Sequence, residues 1–572
     1  VPRPFDSISG GGADARSAPG RATVAARAYP ARAVADAEAA LTAGTDRYMH
    51  SAAHALALAA VEELREVRGT VPGARVLLLV GGGHNGGDAL LAGALLARRG
   101  CAVTAAPATD SSRLHATALA AARAAGVRLA AEPRSAARSA AGGGGGRVGV
   151  DLVIDGLTGI GATGPLRSAA AELIAPLRDA GQPGERDFRV LAVDLPSGLG
   201  VDDGTLPGPV LAADCTVTFT CYKAAHLLPP AAPLCGRVEV ADLELPVPAG
   251  TALTVRPADA EFGRLLRVPG DRDHKYTRGV VGLWAGSQTY PGAAVLAASA
   301  AVRTGAGMVR LTAPQRVVDL VLARRPEVVP ADGRCQALVI GPGTDPADAS
   351  RAAELDAALQ RTLGDHGEPV YAVIDAGALP LLAARVTAGA RCAPRHVLTP
   401  HAGEAAALLS ALGEGTTREA VEASPAAAVR CLAEATGASV LLKTTPTLIA
   451  SPAGTVLSVG SGPGWLATAG SGDVLAGIIG ALLAAVRADV DNGVLPAVRG
   501  AEAVDAARCA ALGVRLHALA AARAADTAVT TAAGRPYERA GHPVAALDLT
   551  EAIPAAWEQL WRASRSRCSG RG

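Results

Sequence analysis

The sequence predicts two α/β units in tandem, each built on a mostly parallel sheet with helices on both faces. Three observations carry this. Short apolar runs of strand length alternate with longer stretches of helical period, and the series occurs twice. Several strand-like runs end in Asp and are followed by a Gly-rich turn. A stretch bearing Pro246, Pro248, Pro257 and Pro269 separates the two series. At 572 residues, 49% hydrophobic and 19% charged, the chain has the length for roughly two to four domains and the apolar content for large cores.

In order along the chain, residues 1–29 are rich in Gly, Ala and Arg without an apolar signal core, and are expected to form a disordered leader. Residues 30–245 form the first domain. Its strands are expected at 76–80, 101–107, 150–157, 189–196, 215–220 and 237–245, with a five-glycine loop at 142–146. Residues 246–269 read as a linker. The second domain, 270–562, has expected strands at 280–286, 308–314, 337–343, 370–375, 396–400 and 439–445, a helix from Gly292, and a long apolar helix after residue 473. Residues 563–572 read as a frayed tail.

Bulk properties narrow the function. Net charge is +1 and no basic stripe carries interleaved aromatics, so nucleic acid is not an expected partner. The longest apolar run, 474–486, is shorter than the ~20 residues a membrane span needs, so no membrane partner is expected. Nine scattered cysteines without a CxxC fit a reducing, cytoplasmic setting and argue against zinc. Of 54 basic residues only Lys223, Lys275 and Lys443 are lysines, and a lysine kept against that background either marks a site wanting a compact ammonium or survives by chance.

Gly81, Gly83 and Gly86 match the spacing of a dinucleotide fingerprint, and Asp110 lies near the end of the next strand. Asp88 argues against the ordinary version. It falls in the first helical turn, where a carboxylate repels phosphate and suits a hydroxyl, a ring amide or a metal; an aspartate there can also serve only as a partner of the helix dipole. Asp155 and Asp194 end two further strands, each before a Gly-bearing loop. Carboxyl ends of parallel strands line the ligand crevice of an open sheet. Together these loops make an oxygen-rich pocket, in which Asn85, Asp155 and Ser197 can hold a hard monovalent cation and Asp194 can move protons.

These residues resemble a family. "HNGGD" (84–88), "DGLTGIGATGPL" (155–166), "DLPSGLGVDDG" (194–204) and "TFTCYKAAHLLPP" (218–230) resemble the YjeF N-terminal domain, the NAD(P)H-hydrate epimerase. The resemblance implies a Rossmann-like three-layer α/β/α domain. It implies that His84, Asn85, Gly86, Gly87 and Asp88 face the hydrated nicotinamide nucleotide, with Asp194 and the loop Gly159, Ile160, Gly161, Ala162, Thr163, Gly164, Pro165. It also implies potassium at Asn85, Asp155 and Ser197. His84 stands where the family has Asn, Ala89 where it has Gly, and Leu157–Thr158 where it has Leu–Phe.

In the second domain, Gly470-Ser471-Gly472-Asp473 precedes the apolar helix. Glycines let backbone N–H groups approach an anion and the helix dipole attracts it, so the loop suits a phosphoryl group. Asp473, just beyond, is placed to take a proton from an acceptor hydroxyl. Gly341 and Gly343 end one strand, His401 and Glu404 follow another, Lys443 is expected on a strand facing nucleotide phosphate, and Lys275 sits in "HKYTRG".

"HKYTRG", "YPGAAVLAASAAVRTGAG", "IGPG", "TPHAGE" and "ATAGSGDVLAGIIGALLA" resemble the ribokinase-like NAD(P)H-hydrate dehydratase. The resemblance implies a ribokinase-like α/β domain. Ala293, Gly343, His401 and Asp473 would contact the hydrated nucleotide; Lys443, Thr444, Thr445, Pro446, Thr447 and Gly472 would contact the ADP-derived part. Lys443-Thr444 replaces the family's Lys-Gly, and "DAGAL" (375–379) its "DADAL". Together the halves imply a bifunctional repair enzyme that interconverts the R and S forms of hydrated NADH or NADPH and dehydrates the S form with ADP, K⁺ and Mg²⁺, as a homo-oligomer. The alternative is a ribokinase-like kinase for a vitamin precursor or sugar, fused to a nucleotide-sensing domain.

Overall fold

The computed structural model describes residues 25–42, 45–142, 149–243, 252–345, 347–363, 370–494, 506–527 and 541–565. Most of the expected leader, five-glycine loop and tail, and the start of the expected linker, lie outside the described residues. The chain divides into two compact units, one within 27–254 and the other from 255 onward. Among the described residues no helix is long and apolar enough to cross a membrane.

The first unit is a seven-stranded parallel sheet. Its order is Arg128–Leu129, Ala102–Pro107, Arg75–Val80, Leu152–Gly156, Arg189–Val193, Cys215–Phe219, Arg237–Ala241. Continuous apolar strands are required because both faces are covered. Val76, Leu78 and Val80 join the core with helices Arg47–Arg68 and His84–Arg98. Leu77 and Leu79 join the opposite core with Pro133–Ala140 and Ser168–Asp179. The strand order reverses direction between Arg75–Val80 and Leu152–Gly156, so the loops leaving these two strands flank the switch point where ligands bind such sheets.

Two expectations are corrected outside the seven-stranded sheet. Ala26–Tyr29, within the stretch read as leader, is a strand, and Ala28 and Tyr29 pair in parallel with Tyr222 and Lys223. Thr254–Arg256 and Asp259–Gly263, within the stretch read as linker, are a strand and a short helix. Both are too short to show a period in sequence.

In the second unit, eight strands run in the order Met308–Thr312, Val280–Trp284, Ala337–Ile340, Tyr371–Ile374, His396–Leu398, Ser439–Leu442, Thr447–Ala450, Val456–Val459. All neighbours are parallel up to Ser439–Leu442; the last two strands form an antiparallel hairpin that the alternation did not signal. The apolar helix Ser471–Asp491 packs against this sheet and against helix Pro291–Thr304. Its small residues are steric necessities. A Cβ on Gly477 would lie 2.3 Å from Ala297 O, and one on Gly480 2.3 Å from Val339 Cγ2.

Candidate active sites

In the first unit the loops after two central strands touch directly. A Cβ on Gly81 would lie 1.9 Å from Leu157 O. Helix His84–Arg98 starts there, with His84 exposed and Gly86, Gly87 and Asp88 buried. Asn85 Nδ2 donates to Thr158 O (2.9 Å) and to Val193 O (2.7 Å). Asp155 is fully buried and accepts from Ser197 N (2.9 Å), Ser197 Oγ (2.7 Å) and Leu157 N (3.2 Å). Burial raises its pKa, and those Ser197 and Leu157 donors offset part of the rise. Thr158 N donates to Ser197 Oγ at 3.0 Å. Asn85, Asp155 and Ser197 are therefore brought together. Along the loop from Gly159 to Pro165, Gly159 and Ile160 are half-buried and Gly161, Thr163, Gly164 and Pro165 are exposed.

Asp194 sits beside this group in a strained backbone. Its φ is 65° while Leu195 N donates to Val193 O at 2.8 Å, which is the rarer, positive-φ form of the γ-turn. Thr220 repeats the device, with φ 67° and Cys221 N donating to Phe219 O. The two turns bring Lys223 Nζ to 2.6 Å from Asp194 Oδ1, 2.9 Å from Thr218 Oγ1 and 2.9 Å from Phe219 O. Thr218 Oγ1 also donates to Asp194 Oδ1 at 2.8 Å. Burial opposes the Asp194 charge, but the Lys223 ammonium outweighs it and holds the carboxyl below its usual range. His226 Nδ1 accepts from Lys223 N (3.0 Å), which leaves Nε2–H to donate to Asp194 O (2.8 Å).

Asp88 completes the cluster. It is 6% exposed, and its Oδ1 has no hydrogen-bond partner. Burial pushes its pKa well up, and the charges of Asp194 and Glu38 push the same way. Lys223 was marked in sequence by its rarity; His226 and Glu38 carried no such mark.

The second site gathers at the start of helix Ser471–Asp491. Gly470 caps it with φ 85°. Asp473 is half-buried; burial and the nearby Asp375 raise its pKa to about 7, against the pull of Lys443. Lys443 Nζ lies 2.8 Å from Asp375 Oδ1, which also accepts from Thr399 Oγ1 at 2.8 Å. A Cβ on Gly472 would lie 3.5 Å from Lys443 Nζ. Lys443 is not on the strand, as expected, but just past its end at Leu442. There its N–H donates to Pro400 O, and an isolated parallel bridge joins it to His401. The chain then turns, with Thr444 Oγ1 donating to Pro446 O and Thr447 Oγ1 to Thr444 O.

His401 caps helix Ala402–Ala411. Its Nδ1 accepts from Glu404 N, and Glu404 Oε2 accepts from His401 N. Gly343 has φ 63°, and a Cβ there would lie 2.2 Å from that of Ala293, so these two expected residues abut. Lys275 lies instead over the Tyr276 ring, 5.2 Å from its centre. Asp375, which singles itself out by holding Lys443, ends its strand as Asp155 and Asp194 do theirs; that repeated signal was there to be read.

A lysine-paired carboxylate beside a sheet's switch point and a glycine-opened helix start with a carboxyl poised near neutrality define a two-site enzyme. The YjeF-related protein N-terminus matches residues 45–225, and the NAD(P)H-hydrate dehydratase family matches 281–537. The chain is 43% identical to the bifunctional NAD(P)H-hydrate repair enzyme of Mycobacterium leprae, over 80% of this chain and 89% of that one. It is 44% identical to that of Mycobacterium tuberculosis (strain CDC 1551 / Oshkosh), over 76% and 84%. A solved ADP/ATP-dependent NAD(P)H-hydrate dehydratase from Bacillus subtilis, co-crystallised with ATP and Mg²⁺, covers 53% of this chain and 97% of its own at 23% identity and a TM-score of 0.40. The chain belongs to the bifunctional NAD(P)H-hydrate repair enzymes.

Proposed function

We propose that the first unit interconverts the R and S forms of hydrated NADH or NADPH, and that the second dehydrates the S form at the expense of ADP. The observation that carries this is one chain holding both a lysine-paired carboxylate beside a sheet's switch point, held ionised by that lysine, and Asp473 at a glycine-capped helix start. Asp194 is the base of the first site. His84, Asn85, Gly86, Gly87, Asp88 and the loop from Gly159 to Pro165 line its substrate.

The donor set of the first site fits potassium. Asn85, Asp155 and Ser197 lie with the carbonyls of Thr158 and Val193, and Asp155's donors, from Ser197 and Leu157, are all neutral. That is an oxygen-rich site with one formal negative charge, suited to a large monovalent ion. Potassium, when bound, supplies positive charge beside the substrate's oxygens.

In the second site, Asp473 takes the proton of the substrate hydroxyl while that oxygen attacks the terminal phosphorus of ADP and AMP leaves. The carbon–oxygen bond then breaks, phosphate leaves with the electron pair, and loss of the adjacent ring proton restores the double bond. Lys443, Thr444, Thr445, Pro446, Thr447 and Gly472 hold the ADP part, whose phosphates Mg²⁺ accompanies, and Ala293, Gly343 and His401 hold the hydrate. Free thiols at the described cysteines suit the reducing cytoplasm as its setting.

The test supplies both hydrate epimers with ADP or ATP, K⁺ and Mg²⁺, and follows the near-ultraviolet absorbance of the reduced nicotinamide. Full recovery is expected. Recovery that halts at one epimer's share would refute the first site's role, and no recovery with either nucleotide would refute the second's.

A further inference from the structure

Helix Ala31–Thr42 lies before the residues that match the YjeF-related family, yet it is built into the Asp194–Lys223 centre. The strand preceding it pairs Tyr29 with Lys223 itself. Its first N–H, at Ala31, is capped by Asp202 Oδ1 at 2.8 Å, from the turn that follows Asp194. Val34 is fully buried in a small core with Tyr29 and Cys221, against which Ile160 of the 159–165 loop also packs. Glu38 is four residues, one helical turn, beyond Val34 and therefore projects from the same face. It is half-buried, and it interacts electrostatically with Lys223, Asp194 and Asp88.

The centre thus contains three carboxyl groups and one lysine, and these differ in access. Asp88 is 6% exposed with an orphaned oxygen; Asp194 is buried and bound by Lys223; Glu38 alone of the three reaches partway to solvent. Moving the hydroxyl of the hydrated carbon from one face to the other needs one proton delivered and one removed. A buried carboxyl that gives up its proton must regain it by some route.

We propose that Asp88 is the proton donor of the epimerisation and that Glu38 is its relay to solvent. This deepens, and rests on, the epimerase reading above. Asp88 gives its proton to the substrate hydroxyl as the carbon–oxygen bond breaks; the electron pair leaves with oxygen as water, and the lone pair of the adjacent ring nitrogen forms the carbon–nitrogen double bond. Water then adds to the opposite face, forming a new carbon–oxygen bond as the carbon–nitrogen π pair returns to the ring nitrogen, and loses a proton to Asp194. Glu38 passes a proton to Asp88 and takes one from solvent, and the proton on Asp194 returns to solvent by the same half-exposed carboxyl. No oxidant or reductant is involved. The charged and titratable groups around Asp88 are Asp194 and Glu38, both of which also face Lys223, with His226 on Asp194 and His115 packed opposite Gly87 of the same helix.

The experiment uses the full chain and one purified hydrate epimer, without ADP, and follows interconversion by NMR over a series of small-buffer concentrations. Glu38→Gln is expected to slow interconversion roughly tenfold or more, with KM little changed, and added formate or acetate should restore much of the rate. Asp88→Asn should lose activity without rescue. ADP-dependent dehydration of the S epimer, in the other unit, should be unchanged in both and serves as the folding control. A Glu38→Gln enzyme with wild-type rate, or one slowed but insensitive to buffer acid, would overturn the relay. A wild-type chain that fails to interconvert the epimers would instead overturn the epimerase reading itself, and the relay with it.

Discussion

The ammonium of Lys223 lies 2.6 Å from Asp194 Oδ1, with both side chains buried. Neither charge is tolerable there alone. The ion pair keeps Asp194 ionised, and therefore able to accept a proton, in a pocket that would otherwise neutralise it.

Lys223→Met is expected to abolish most epimerisation, by about a hundredfold or more, and to lower stability by roughly 3–5 kcal/mol through the uncompensated carboxylate. Lys223→Arg should not rescue it, since a planar guanidinium cannot meet Asp194, Thr218 and Phe219 O from one point. Epimer interconversion without ADP, together with denaturant unfolding, checks both.

Asp473→Asn is expected to cut ADP-dependent dehydration by about 10²–10⁴-fold and to leave epimerisation intact. In the wild type, dehydration should rise with pH through about 7, as Asp473 loses its proton. Stability carries the opposite sign. The folded pKa lies above that of the unfolded chain, so between about pH 4 and pH 7 the unfolded chain is ionised while the folded one keeps the proton, and stability falls as pH rises. Asp473→Asn should therefore raise the melting temperature, and by more at pH 8 than at pH 5.

Epimerisation should depend on the monovalent ion supplied, with K⁺ far better than Li⁺, because the Asn85–Asp155–Ser197 group offers several weak oxygen donors around one carboxylate. Asp155→Asn should erase that preference along with most of the rate. Initial rates in matched chloride salts decide it.

Gly477→Ala tests the packing beneath the second site. A methyl placed 2.3 Å from Ala297 O has no room, so helices Ser471–Asp491 and Pro291–Thr304 must separate. A loss of about 1–3 kcal/mol is expected, with ADP-dependent dehydration falling alongside because Gly470 and Ala293 belong to those helices' starts. Thermal melts and single-turnover rates measure the two effects.

Most strands were legible because burial on both faces makes them uniformly apolar, as at 76–80 and 337–340. Strand-end aspartates were legible too, since Asp155 and Asp194 interrupt such runs with a charge. What sequence did not give depended on partners far along the chain. Ala26–Tyr29 is a strand whose partners Tyr222 and Lys223 lie far along the chain. Lys443 looked like the continuation of a strand whose last paired residue is Leu442, and its engagement with Asp375 crosses 68 residues. Glu38 is one glutamate on a helix without motif, and only the packing of Val34 reveals which way it faces.

One imidazole binds both members of the first site's ion pair: His226 takes the Lys223 N–H at one ring nitrogen and donates to the Asp194 carbonyl from the other. Three positions are thereby yoked into a single heritable unit. A lineage that abandons epimerisation gains nothing by keeping any one of them, and a lone survivor would be a buried charge or a broken turn. Across descendants of this enzyme, Asp194, Lys223 and His226 should persist together or be replaced together, so that a chain carrying only one or two of them marks an epimerase half caught in decay.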